Sequence, residues 1–211
     1  NNSQCREKIK SFNKGKFDYM FYATALGDVG IPIKDATQDQ IDRSNNLSFD
    51  PIPNLEEELD IGTIVAYSTF YTIRHQLSTY GAMGHSKETI EKWVLEPGSS
   101  KHACIRAGLF ESASSRGIKL LLRKTSKNLE NLKDPLLRSY FENTPSSEGI
   151  KKFEEGIFSE EKDAYGDCRT NKDDLYEAHL ELFKSINPVF INVCGRKIWT
   201  SEEPLLLEKY I

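Results

Sequence analysis

The sequence predicts an α+β fold: a single helix-rich domain over residues 1–211, with about seven or eight helices and a small sheet or hairpin. Three observations predict it. Apolar residues recur at helical spacing through most of the chain from residue 66 onward, most clearly from Gly117 to Leu132. Strand-like runs are short and stand near the two ends, at Lys16 to Thr24 and Val189 to Thr200. Hydrophobic residues at 38% and charged residues at 28% of 211 suit one ordinary core and exclude wholesale disorder.

Taken in order, Ser3 to Phe12 forms a short helix on Cys5, Ile9 and Phe12. Lys16 to Thr24 is dense in aromatics and closed by Gly27 and Gly30, which predicts a buried strand. Residues 26–54, with Gly27, Gly30, Pro32, Pro51 and Pro53, read as a long irregular loop. Asn54 caps an acidic turn, and Ala66, Phe70, Ile73, Leu77 and Tyr80 then line one helical face, while residues 61–65 fit strand or helix. Ser86 caps a helix carrying Ile90, Trp93 and Val94 inward, and Ser99 or Ser100 opens another through Cys104, Ile105, Gly108 and Leu109.

The clearest helix runs from Gly117 to Leu132 on Ile118, Leu121, Leu122, Thr125, Leu129 and Leu132. Asp134-Pro135 starts a short one. Ile150, Phe153, Ile157 and Phe158 trace the next, and Asn171 introduces a helix with Leu175, His179, Leu182 and Ile186 inward, ending before Pro188. Val189, Ile191 and Val193 then alternate, and Cys194-Gly195 turns the strand into Lys197 to Thr200 as a hairpin, with a last helical turn after Ser201.

Charge is distributed unevenly. Arg74 to Arg138 carries twelve Lys and Arg against six Asp and Glu, between two acidic flanks, although the total is −4. That pattern predicts a non-enzymatic interaction domain whose basic central helices, within 74–138, meet an anionic macromolecule, nucleic acid or an acidic protein surface. On the 117–132 helix, Arg116, Lys119, Arg123 and Lys127 fall opposite the leucine stripe. Lys101, Ser99 and Ser100, after Pro97-Gly98, would add a phosphate-binding turn at a helix start. The same charges could instead pair with the chain's own acidic segments, 154–163 or 173–181.

Two alternatives stand beside this. If Ile61 to Phe70 is a strand, it completes a βαβ unit with Phe17 to Thr24. Ala25 to Asp28 would then edge a small-molecule cleft bounded by the 25–54 loop, as in an enzyme. The even cysteine count and two glycosylation sequons, at Asn1 and Asn46, keep a secreted disulfide-linked binding domain as the third, although four cysteines are ordinary for reduced intracellular thiols. Cys5, Cys104, Cys168 and Cys194 are too widely spaced for a zinc knuckle, no HxxxH or HExxH occurs, and neither GxGxxG nor a P-loop is present. Gly84-His85-Ser86 lacks the final glycine of a nucleophile elbow. No metal, cofactor or catalytic residue is indicated by motif. The chain has no initiator Met and no apolar signal region, which is expected of a trimmed or processed product.

Overall fold

In a computed structural model, residues 2–185, 187 and 189–211 are described, with backbone alone for residues 2, 3, 5, 6, 13, 15, 113 and 114. Asn1, Ile186, Pro188 and the side chain of Cys5, all used above, lie outside the described residues. One sheet carries five strands in chain order: β1 (Lys16–Tyr22), β2 (Asp60–Thr69), β3 (Lys101–Ala107), β4 (Phe190–Cys194) and β5 (Lys197–Ser201). The first four are parallel, with Phe17 opposite Ile61, Ile64 opposite His102 and Ile105 opposite Ile191; β5 returns antiparallel along β4. The helices are α1 (Asn2–Ser11), α2 (Gln38–Ser48), α3 (Pro51–Glu58), α4 (Arg74–Leu77), α5 (Gly81–Val94), α6 (Ala113–Thr125), α7 (Pro135–Ser139), α8 (Ser146–Tyr165) and α9 (Lys172–Lys184).

This is a parallel α/β sheet, not the helix-rich α+β domain with a small sheet that the sequence suggested. The difference lies in two segments. The stretches expected as helices from Ala66 and from Ser99 are the central strands β2 and β3. Both are covered on both faces, so consecutive residues are apolar: Ile64, Val65 and Ala66 are wholly buried, as are Cys104 and Ile105. Such a strand loses the in–out alternation that identifies strands, and a helical spacing can be picked from its continuous apolar run.

The 26–54 segment is corrected too, since it contains α2 and α3. Thr37 and Gln40 form a reciprocal capping box at the start of α2, and Pro51 occupies the first turn of α3. Helix α2 is so polar that its caps, not its periodicity, mark it. Helix α5 begins at Gly81 rather than Ser86; Ser86 is buried in mid-helix and donates to Ser44 Oγ at 2.7 Å. Helix α6 starts four residues earlier than expected, through a Ser112–Ser115 capping box.

Helices cover both sheet faces. On one side Ile90, Trp93 and Val94 of α5 meet Ile64, Ala66, Cys104 and Phe190. On the other, Ala178 and Leu182 of α9 meet Val65, Ala103, Ile105, Ile191 and Val193. A third apolar cluster joins Phe70 and Ile73, just past β2, to Leu122 of α6 and Phe153 and Ile157 of α8. It places two helices over the carboxyl ends of the strands. Cys104, Cys168 and Cys194 are free thiols. No helix among the described residues is long and apolar enough to cross a membrane.

Candidate active site

The carboxyl ends of β1, β2 and β3 open into a cavity of about 390 Å³. Its floor is Ala23 and Ala25 after β1, Tyr67 to Thr69 at the end of β2, and Ala107 to Phe110 at the end of β3. Helix α5 brings Tyr80, Met83 and Lys87 to one side; α6 and α8 close the other with Ile118, Leu122, Ile150, Phe153 and Ile157. Parallel sheets leave a ligand crevice at this end of their strands. The walls are chiefly apolar, with a few polar groups directed inward, which is the usual make-up of a small-molecule site.

Tyr80 is placed by its backbone. It precedes Gly81, whose φ of +48° lies in the left-handed region, and a Cβ there would collide with the Asp28 carbonyl. Gly30 N donates to Thr79 O at 2.6 Å, Gly81 N to Ile31 O at 3.0 Å and Ala82 N to Asp28 O at 3.0 Å, so the 28–31 turn fixes the start of α5. The Tyr80 hydroxyl makes no hydrogen bond among the described residues, and burial pushes its pKa up to about 12, so the phenol stays protonated at neutral pH. Tyr80 thus lines the cavity with a neutral phenol.

Lys87 stands seven residues on, two turns along the same helix face. It is buried, and its Nζ donates to the Tyr67 carbonyl at 2.8 Å, leaving two further donors unassigned. Burial lowers its pKa from the ordinary lysine value, against the raising effect of Cys104 and Glu91. One turn further, Glu91 is wholly buried and receives Arg106 Nε at 3.0 Å, Arg106 Nη2 at 2.5 Å, the Ser68 hydroxyl at 2.5 Å and Leu205 N at 2.8 Å. Arg106 Nη1 also donates to Asn192 Oδ1 at 2.7 Å. Burial opposes the Arg106 charge, and the Glu91 carboxylate more than offsets it, holding the guanidinium above its usual range. The network fastens α5 across β2, β3 and β4 directly behind Lys87.

The residues expected to bind an anion do not form one site. Lys119 alone reaches the cavity, where its Nζ meets Glu154 Oε1 at 2.6 Å and Glu111 Oε2 at 3.1 Å. Arg116 lies 3.7 Å from Glu111, and Arg123 and Lys127 are exposed on the outer surface. Lys101, Ser99 and Ser100 stand at the opposite end of the sheet, where β3 rather than a helix begins. There the Ser100 amide donates to Glu56 Oε1 at 2.8 Å, and His102 Nε2 lies 3.0 Å from the same oxygen, so an internal carboxylate occupies the expected phosphate turn. His179, expected on an apolar helix face, is satisfied by Leu175 O at 2.6 Å and Tyr67 Oη at 2.7 Å.

Tyr80 and Lys87 escaped the sequence reading because α5 was started at Ser86, which separates them. A lysine two turns after a tyrosine, on the face that also carries Ile90 and Val94, was the available signal.

No protein family and no curated protein matches the sequence. Solved structures do match. NAD+-bound xylitol dehydrogenase aligns at 13% identity and a TM-score of 0.60, over 92% of this chain and 73% of that one. The two chains share a fold. An enoyl-acyl-carrier-protein reductase from Plasmodium berghei, with triclosan, aligns at 17% identity and a TM-score of 0.47, over 71% and 57%. The NADH-dependent enoyl-[acyl-carrier-protein] reductase of Aquifex aeolicus VF5 aligns at 20% and 0.46, over 59% and 55%. The chain thus spans little more than half the length of these two reductases.

The non-enzymatic domain expected from charge to meet nucleic acid or an acidic protein surface is overturned here. The sheet is one on which a dehydrogenase is built, and the polar groups converge in an apolar cavity instead of on the basic outer face. The alternative, an enzyme cleft edged by the 25–54 segment, is the expectation these findings back.

Proposed function

We propose that this chain carries the substrate-binding part of an oxidoreductase that interconverts a carbonyl compound with an apolar body and its reduced form, using a nicotinamide cofactor. The observation that carries the proposal is the placement of Tyr80, at the N-cap of α5, and Lys87, two turns along it, at the carboxyl ends of parallel strands, in a cavity whose other walls include Ile118, Leu122, Ile150, Phe153 and Ile157. The fold shared with an NAD+-bound dehydrogenase supports it.

The cavity fits the nicotinamide end of such a cofactor. Lys87 offers two unassigned ammonium donors for ribose hydroxyls, and the strand ends at Ala23, Ala25 and Thr69 leave room for a flat ring. The phosphates find no GxGxxG turn in these 211 residues. When bound, the nicotinamide supplies or accepts hydride. Tyr80 donates its phenolic proton to the substrate oxygen as negative charge develops there, and the buried Lys87 ammonium stabilises the resulting phenolate. The apolar helices exclude water, which strengthens both interactions.

The test follows oxidation of NADH and NADPH by nicotinamide absorbance with a series of apolar ketones, aldehydes and enones. Tyr80→Phe is expected to lower kcat by about 10²–10⁴-fold with little change in substrate binding. Lys87→Met is expected to weaken nucleotide binding as well as turnover. Absence of nucleotide binding and turnover in the wild type, or full activity in Tyr80→Phe, overturns the proposal.

A further inference from the structure

Glu161, on the inner face of α8, is wholly buried and lies outside the reaction described above. Its Oε1 accepts the Leu109 amide at 2.6 Å, whereas its Oε2 is buried with no hydrogen-bond partner among the described residues. Leu109 belongs to the 108–112 segment that leads from β3 into α6, and Gly108, Leu109, Phe110 and Ser112 of that segment line the cavity. The glutamate therefore holds the cavity's rim to α8 through a single main-chain contact.

The space around it is closed. A Cβ on Gly108 would stand 2.8 Å from Thr170 Oγ1, 3.1 Å from Glu161 Oε1 and 3.2 Å from Cys194 Sγ, so three elements converge on that α-carbon. The titratable groups acting on Glu161 are Glu160 and Tyr165 on its own helix, Cys168 in the following turn and Cys194 on β4, while the exposed Lys162 follows it along α8 and Asp167 follows in the turn. Among the described residues none of the cations forms an ion pair with it. Burial raises the Cys194 thiol and the Tyr165 phenol far out of the neutral range, and hydrogen bonds from the Cys168 and Arg196 amides keep Asp167 ionised. Glu161 itself is pushed up to about 7 by burial, against the lowering effects of the Leu109 amide and of a hydrogen bond from the Cys194 thiol.

We propose that Glu161 is a proton-operated anchor of the 108–112 rim, holding it against α8 when neutral and releasing it when ionised. A neutral carboxyl tolerates this dry site. A carboxylate with one unpartnered oxygen and no counter-ion does not, and it recovers hydration only if the rim and the start of α6 move away. Because α6 supplies Ile118 and Leu122 to the cavity wall, release widens access to the cavity. The inference concerns access alone and stands whether or not the cavity transfers hydride.

The test is amide hydrogen exchange at Leu109 and Phe110 between pH 6 and pH 8, corrected for intrinsic rates, in the wild type and in Glu161→Gln. The wild type is expected to lose protection at Leu109 by about tenfold across that range, while Glu161→Gln keeps it. Flat protection in the wild type, or the same loss in Glu161→Gln, overturns the proposal. If the variant does not fold, ¹³C titration of the Glu161 carboxyl in the wild type decides. A midpoint near neutrality supports the anchor, and one in the ordinary carboxylate range removes it.

Discussion

Glu91 and Glu161 are equally inaccessible to water, each on a long helix against the same end of the sheet, yet their surroundings differ in every other respect. Glu91 is answered by a guanidinium, a serine hydroxyl and a backbone amide, so its charge is an asset to the fold. Glu161 has the Leu109 amide on one oxygen and a weak contact from the Cys194 thiol, and among the described residues its other oxygen has no hydrogen-bond partner. Depth of burial therefore does not decide what a buried carboxyl does. The partners decide it: a fully answered carboxylate locks α5 behind Lys87, and a half-answered one keeps its proton.

Removing one partner from the Glu91 network should be the most damaging change. Glu91→Ala leaves Arg106 charged and buried without its carboxylate, and a loss of about 3–5 kcal/mol is expected from denaturant unfolding at neutral pH. Glu161→Gln should act in the opposite direction. Between about pH 4.5 and 7 the native state keeps a proton that the unfolded chain has released, so stability falls as pH rises through that window and stays low above it. The variant removes that fall: a gain of up to about 3 kcal/mol at pH 8 and none near pH 4 is expected, read from Tm against pH. A gain at pH 4 as large as at pH 8 would contradict the contrast between the two glutamates.

A smaller effect tests the space instead of the charge. Gly108→Ala should force Thr170 and Glu161 apart at a cost of about 1–3 kcal/mol, with raised exchange at Leu109. The outer face of α6 gives the baseline. Arg123→Glu with Lys127→Glu changes exposed charges that contact neither glutamate, and a stability change within about 0.5 kcal/mol is expected.

Much of this architecture was written locally in the sequence. The aromatic density of Lys16 to Thr24 and the alternation from Val189 identified β1 and the β4–β5 hairpin, although β1 is an edge strand with no buried residue rather than the buried strand expected, and Asp134-Pro135 and Asn171 marked real helix starts. The central strands were hidden because burial on both faces erases alternation, which left α5 unrecognised as the helix between two strands. The site went unread for the same reason. Without β2 and β3 as strands, nothing brings Ala25, Thr69, Gly108 and Lys87 together, and the charge on α6 was the loudest feature left. Part of that charge was legible as internal pairing: Lys119 does meet Glu154, within the acidic stretch that stood as an alternative to an external anion.

The junction between the 28–31 turn and α5 is hydrogen-bonded through main-chain atoms, with the Ile31 side chain packed close to Gly81 and the Asp28 carboxylate paired with Arg43 of α2. Asp28 and Ile31 thus contribute to the position of Tyr80 through their carbonyls as well as through their side chains. Gly30, at φ +82° and close against Leu121, and Gly81 are the positions where a side chain is least tolerated. A substitution at either glycine would displace Tyr80 as surely as a change of Tyr80 itself, although neither residue has a side chain to place in the cavity.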